Sequence, residues 1–146
     1  MLKEKHSPTM TLKEFLNEGD RFAALSGAAI TEINEGSAKA EMTVTEEHLN
    51  AGGVCQGGAI FTLADLVFAA LVNQRENLSF AISSTIYYHV SARKGDVLTA
   101  VGRFVSDHHK IPSAEILVHN QDGAHIATFT GQAYTGRMPN AFSALA

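Results

Sequence analysis

The chain is short of the residues that staple small proteins. Its 146 residues include one cysteine and three prolines. A lone Cys55 builds neither an internal disulfide nor a cysteine-rich zinc site, so a reducing compartment, the cytoplasm, is expected. Basic residues are scarce as well. Eleven Lys and Arg stand against fifteen Asp and Glu, a net charge of −4. Such a chain lacks the basic face that nucleic-acid binding normally needs. No apolar run reaches the roughly 20 residues that span a bilayer. The longest, 59–72, is interrupted by Thr62 and Asp65. The opening residues up to Thr9 are polar and charged, without the apolar core of a signal peptide. Neither a nucleic acid nor a membrane is therefore an expected partner. What remains is an ordinary globular composition, 45% hydrophobic and 18% charged. The length suits one domain over 1–146, with flexible tails at 1–10 and 137–146.

The pattern along the chain gives an element order. Thr11 and Glu14 have capping-box spacing, and Leu12, Phe15 and Leu16 share a face, which predicts a short helix over 12–18. Strands are expected at 28–34 and 37–45, joined at Glu35 and Gly36. In the second, Ala38, Ala40, Met42 and Val44 alternate with polar residues, the mark of one buried and one wet face. A long helix over 57–73 is apolar nearly all round and should be buried, with the charged end at 74–77 leaving for solvent. Four strands follow, at 80–91, 96–106, 113–120 and 125–134. An Asp-Gly turn at Asp122 and Gly123 joins the last two. Strands outnumber helices without alternating with them, so the fold class is α+β, an antiparallel six-strand sheet wrapping the long helix.

The stretch from Asn50 to Asp65 carries the chemistry. Gly57 and Gly58 stand where a loop becomes a helix. The unpaired N–H groups and positive end of a helix start favour an anion, or an oxygen that becomes negative during reaction. Asp65 is the only charge between Ala59 and Val72, and a carboxylate on a buried helix is costly unless paired, bonded or exposed in a cleft. An Asp that simply faces water or caps a loop is the plainer explanation. Eight residues separate Gly57 from Asp65, about 12 Å along a helix. One chain therefore brings them together poorly. Two chains with antiparallel helices would set Gly57 of one against Asp65 of the other, which predicts a site at a dimer interface.

Asn50, Gly53, Cys55, Gly57, Gly58, Phe61, Leu63, Ala64 and Asp65 together resemble the signature of hotdog-fold acyl-CoA thioesterases, in the phenylacetate-degradation (PaaI-type) branch. The strand order agrees over 27–136, and the turn from Ser91 to Asp96 is similar to the basic turn of that family. The resemblance implies hydrolysis of an acyl-CoA or aryl-acyl-CoA thioester without a cofactor. It implies that the Asp65 carboxylate attacks the carbonyl or activates water, that the Gly57 amide polarises the carbonyl oxygen, and that Asn50 places the nucleophile. It also implies a site shared between subunits of a homodimer, with homotetramers common. Gln56 departs from the pattern, since the family usually has His there. Gln donates and accepts hydrogen bonds but shuttles no proton near neutral pH. A non-catalytic acyl-CoA-binding protein on the same fold is therefore the alternative.

Further binding residues are expected around this core. Gly58 and Phe61 lie on the helix, with Leu66 and Phe68 as other candidates for the acyl pocket. Among Ser83, Ser84 and Thr85, strand alternation sets Ser84 opposite the other two, and Ser84 is the candidate taken here. Arg93 and Lys94, near His89, make a local basic cluster suited to phosphates. A hotdog dehydratase would want an active-site His in the helix-start segment, which has none. A regulatory acyl-CoA sensor would want an attached DNA-binding domain, for which the ten residues before Thr11 are too few. Seven histidines raise the question of a metal. His108 and His109, read as adjacent on a strand, would point apart, while His119 and His125 flank a hairpin without a third ligand, so no metal is expected. Cys55 has no base placed beside it and reads as a small buried residue rather than a nucleophile.

Overall fold

In the computed structural model, the described residues are 10–142, 144 and 145. Two short helices open the fold, α1 (Leu12–Gly19) and α2 (Arg21–Leu25). Strands β1 (Ala29–Asn34) and β2 (Ser37–Thr43) lead through a 3-10 turn (Glu46–His48) to the long helix α3 (Gly57–Val72). Strands β3 (Asn77–Tyr88), β4 (Val97–Ser106), β5 (Ser113–His119) and β6 (His125–Pro139) complete the chain.

The strands form one six-stranded sheet in the order β1-β2-β4-β5-β6-β3, antiparallel throughout. This sheet around α3 is the hotdog arrangement that the resemblance implies. Burial follows the alternation seen in the sequence, with Ala38, Ala40 and Met42 of β2 inward. They face Leu66, Val67, Phe68, Leu71 and other buried residues of α3. Two glycines let the helix lie close to the sheet. A methyl group on Gly102 would come within 2.7 Å of Leu71 and Val67, and one on Gly131 within 2.9 Å of Phe68. Overpacking of that kind costs about 1–3 kcal/mol.

Several expected boundaries shift. The first helix starts as predicted, with Thr11 Oγ1 accepting from Glu14 N–H at 3.1 Å. A second helix then begins at once, capped by Asp20 Oδ1 on Ala23 N–H at 3.0 Å. Strand β6 runs through Arg137 to Pro139. Beyond it, Asn140 N–H donates to Glu76 C=O at 2.7 Å, and Leu12 N–H to Ala144 C=O at 2.7 Å. Among the described residues beyond Arg137, the chain is thus tied down by β6 up to Pro139 and by bonds at Asn140 and Ala144. Of the tail expected at 1–10, residues 1–9 lie outside the described residues.

The charged end of α3 does not simply leave for solvent. Gln74 holds the β1–β2 turn through Gly36 N–H, Asn34 C=O and Ser37 C=O. Arg75, its side chain 15% exposed, pairs with Asp107. It also donates to the carbonyls of His108 and His109. Those two histidines sit in the β4–β5 loop, not on a strand, and their rings lie 4.4 Å apart instead of pointing to opposite faces. The loop is drawn around the Arg75 guanidinium. No helix among the described residues is long and apolar enough to cross a membrane.

Candidate active site

The start of α3 is built by the loop before it. Asn50 Oδ1 accepts from Gly52 N–H at 2.9 Å and Val54 N–H at 3.3 Å, closing a tight turn. Cys55 N–H donates to Ala92 C=O at 2.8 Å and Gln56 N–H to His48 C=O at 2.7 Å. The loop is thereby held between the 3-10 turn and the segment that follows β3.

Gln56 is the N-cap of α3, and its Oε1 accepts from Gly58 N–H at 2.7 Å. The side chain thus serves as a helix cap, a role Ser, Thr, Asp and Asn usually fill. It also commits the Gly58 amide, one of the residues expected to bind substrate. The Gly57 N–H has no acceptor among the described residues. It stands at the positive end of the helix, where an oxygen gaining negative charge is favoured.

Tyr88, at the end of β3, fixes the same peptide from the other side. Its hydroxyl donates to Gly57 C=O at 2.8 Å. A side chain on Gly57 would meet the tyrosine ring at 2.9 Å, so the close approach requires glycine. Nothing in the sequence announced this contact, because it joins residues 31 apart through the sheet. Ser84 lies two and four residues before Ile86 and Tyr88. Ile86 packs on the core and Tyr88 touches α3, so Ser84 shares their helix-facing side. Ser83 and Thr85 are exposed on the other.

Asp65 sits two turns along α3, half-buried between Ala64 and Leu66. Its carboxylate has no hydrogen bond or ion pair among the described residues. Burial pushes its pKa above the usual carboxylate range, and the nearby Asp20 charge pushes it further the same way. Both disfavour the ionised form. Within one protomer, neither Gly57 nor Asn50 contacts Asp65 in any hydrogen bond.

The other expected residues scatter. Arg93 and Lys94 are exposed on the loop after β3. Asp96 Oδ2 accepts from Arg93 N–H at 2.8 Å and Asp96 Oδ1 from Gln121 at 2.9 Å, which shapes that turn. These bonds hold the Asp96 pKa below its ordinary value. Lys94 stands 3.9 Å from Glu46, an exposed pair of little energetic weight. Phe61 packs edge-on against Phe129, with centroids 5.3 Å apart, and Phe68 lies 5.7 Å from the same ring. Leu66 and Phe68 are buried in the core, and Phe61 is half-buried against it. A cavity of about 780 Å³ opens elsewhere, lined by Phe22, Leu25, Leu49, Gln56, Gly58 and Ala59 among others.

Cys55 is buried, and burial followed by the Asp96 charge raises its thiol pKa. The neutral thiol is thereby favoured, the inert form. His119 and His125 do approach, with rings 4.9 Å apart, and His89 lies 4.6 Å from His125. Among the described residues no group of three or more His, Cys, Asp or Glu is placed to hold a metal ion.

Residues 52–127 match the family model of the thioesterase superfamily. An Archaeoglobus fulgidus protein whose name places it among esterases is 39% identical over 123 residues, 84% of this chain and 80% of its own length. The acyl-coenzyme A thioesterase PaaI of Escherichia coli is 32% identical over 117 residues, covering 80% of this chain and 84% of that protein. Among solved structures, the E. coli PaaI protein from the phenylacetic acid degradation operon superposes with a TM-score of 0.81 at 31% identity, over 85% of this chain and 90% of that one.

Proposed function

This chain belongs to the thioesterase superfamily, and on that premise we propose that it hydrolyses an acyl-CoA or aryl-acyl-CoA thioester to the free acid and CoA. The observation that carries the reading is a pair on one helix: an N–H at Gly57 and a half-buried carboxylate at Asp65, both without a partner among the described residues. In the proposed reaction the thioester carbonyl oxygen takes the Gly57 N–H, which stabilises the negative charge as a tetrahedral intermediate forms. The Asp65 carboxylate removes a proton from the attacking water. The intermediate then collapses, the carbon–sulfur bond breaks and the CoA thiolate leaves with the proton that Asp65 had taken, which restores the carboxylate. The raised proton affinity of Asp65 suits a base working nearer neutral pH than an ordinary carboxylate. The free amide of Asn50 and the hydroxyl of Ser84 are the groups we assign to holding that water. Arg93 and Lys94 are assigned to the CoA phosphates.

Eight residues of helix span about 12 Å, too far for one carbonyl to meet both ends of the pair. The working unit is therefore a homodimer, with Gly57 of one protomer facing Asp65 of its partner. The free edge of the sheet supports this reading. Strand β3 is one of the two edges of the sheet, without a neighbour on one side among the described residues, and carries exposed Phe80, Ile82 and Tyr87. A long apolar edge of this kind is a template for strand pairing with another chain. Two dimers would then pair as a homotetramer.

The test is release of free thiol from a panel of acyl-CoA esters. Turnover that Asp65→Asn abolishes supports the reading. Binding of acyl-CoA with no turnover of any member would instead make this an acyl-CoA-binding protein.

A further inference from the structure

We infer that the cavity beside α2 is the acyl subsite, and that Phe22 and Leu25 make it select uncharged, apolar acyl groups. The inference rests on the proposed thioester hydrolysis and adds a substrate class to it. The cavity, about 780 Å³, falls within the roughly 300–1,000 Å³ of small-molecule sites. It reaches Gln56, Gly58 and Thr62 on the first turns of α3. It is therefore continuous with the helix start that would hold the thioester carbonyl.

Its walls follow from the local fold. In α2, Asp20 caps the first turn and Ala23 is buried against the body of the protein. Phe22 and Leu25, three apart, share the other face. Both line the cavity, although they are 67% and 83% exposed. Two large apolar side chains left in water at a cavity wall are relieved by an apolar occupant. Leu49 and Ala59 extend the same surface.

The polar lining is already engaged. His48 Nδ1 accepts from Thr45 N–H at 2.8 Å, so its Nε2 carries the proton donated to Ser26 C=O. Gln56 Oε1 accepts from Gly58 N–H, and Thr62 donates to Gly58 C=O at 2.8 Å. Among the described residues the one charged group in the lining is Glu47, with no Lys or Arg. A carboxylate there repels the CoA phosphates and any acyl chain that ends in a carboxylate. The cavity thus suits the acyl half of the ester, and the neutral members of that class.

The experiment compares wild type with the exposed double variant Phe22→Ala/Leu25→Ala and with Glu47→Gln. Hydrolysis of acetyl-CoA, octanoyl-CoA, phenylacetyl-CoA and glutaryl-CoA is measured. Thermal stabilisation by octanoyl-CoA is measured against that by free CoA. The double variant is expected to lower the octanoyl-to-acetyl ratio of kcat/KM about tenfold, the scale of one large apolar contact. It should also erase the extra stabilisation by octanoyl-CoA. Glu47→Gln is expected to raise the glutaryl-to-octanoyl ratio. An unchanged chain-length ratio together with unchanged octanoyl-CoA stabilisation would overturn the subsite. So would a changed oligomeric mass in the double variant, which would mean that a second copy of the chain covers α2. A wild type that binds octanoyl-CoA but turns over no ester refutes the hydrolysis instead, and the stabilisation still decides the subsite.

Discussion

Asp65→Asn separates activity from stability, and the two are expected to move in opposite directions. The amide keeps the shape of the carboxylate and removes its charge. In the folded chain the Asp65 pKa lies above the ordinary carboxylate range because burial, and then Asp20, disfavour the anion. In the unfolded chain it titrates as usual. Between those two values the folded state holds a proton that the unfolded state has released. Stability therefore falls as pH rises through that window and stays lower above it. Asn does not titrate, so the variant gains stability at neutral pH and gains nothing at acid pH. Because the side chain is only half-buried, solvent screens part of the effect. A gain of about 1 kcal/mol is reasonable for relieving one such functional strain. For a chain of this size that is roughly a 3 °C rise in Tm. Turnover should fall about a thousandfold, the loss of about 4 kcal/mol from the transition state that a positioned base supplies. Thermal melts and thiol-release assays across the same pH series measure both. A variant that is less stable at neutral pH would show that Asp65 makes a stabilising bond. One that retains turnover would remove Asp65 from the chemistry.

Asp20→Asn keeps an acceptable N-cap for α2 but removes the charge that helps raise the Asp65 pKa. The acid limb of the kcat/KM profile should shift to lower pH, and an unmoved limb would break the link between the two residues. Gln56→Ala removes the bond to Gly58 N–H and should cost about 1 kcal/mol in chemical denaturation. Gln56→His should keep activity equal or higher, while a large loss would show that the amide has its own role. Tyr88→Phe deletes the bond to Gly57 C=O, worth about 1 kcal/mol, and leaves the ring in place. It should lower kcat more than it raises KM, and a change confined to stability would make Tyr88 merely structural.

The frame of the fold was legible because it rests on local pattern. The alternation of Ala38, Ala40 and Met42, the apolar run of α3 and the turn at Gly123 each state their own structure. The helix start and Asp65 could be picked out because glycines at a loop–helix junction and a lone carboxylate on an apolar helix are anomalies that want a reason. Less was visible where distant residues decide. Helix α2 has five residues, too few for a periodic signal, and depends on the Asp20 cap. Strand β6 extends past Arg137 because Pro139 finds Asn77 across the sheet. The β4–β5 loop bends to Arg75, and Gln56 turned out to cap α3 with its side chain. Leu66 and Phe68 went to the core and Phe61 is half-buried against it, with both phenylalanine rings on Phe129, because the sheet wraps most of α3. The apolar cavity formed instead against a helix that the sequence pattern did not reveal.

Complementation between two inactive chains tests the shared site most directly. One is Asp65→Asn. The other is Gly57→Pro, which removes the N–H at the first helical position, where the proline φ is tolerated and the extended Gln56 before it is compatible. The Tyr88 ring, on an exposed edge strand, must move aside for it. If Gly57 of one protomer serves Asp65 of its partner, a mixed dimer holds one intact site and one doubly defective site. Co-refolded in equal amounts, the two chains should recover about a quarter of wild-type activity, from half the dimers with one site of two. Mixtures no more active than the separate variants would place both groups in a single protomer and contradict the account.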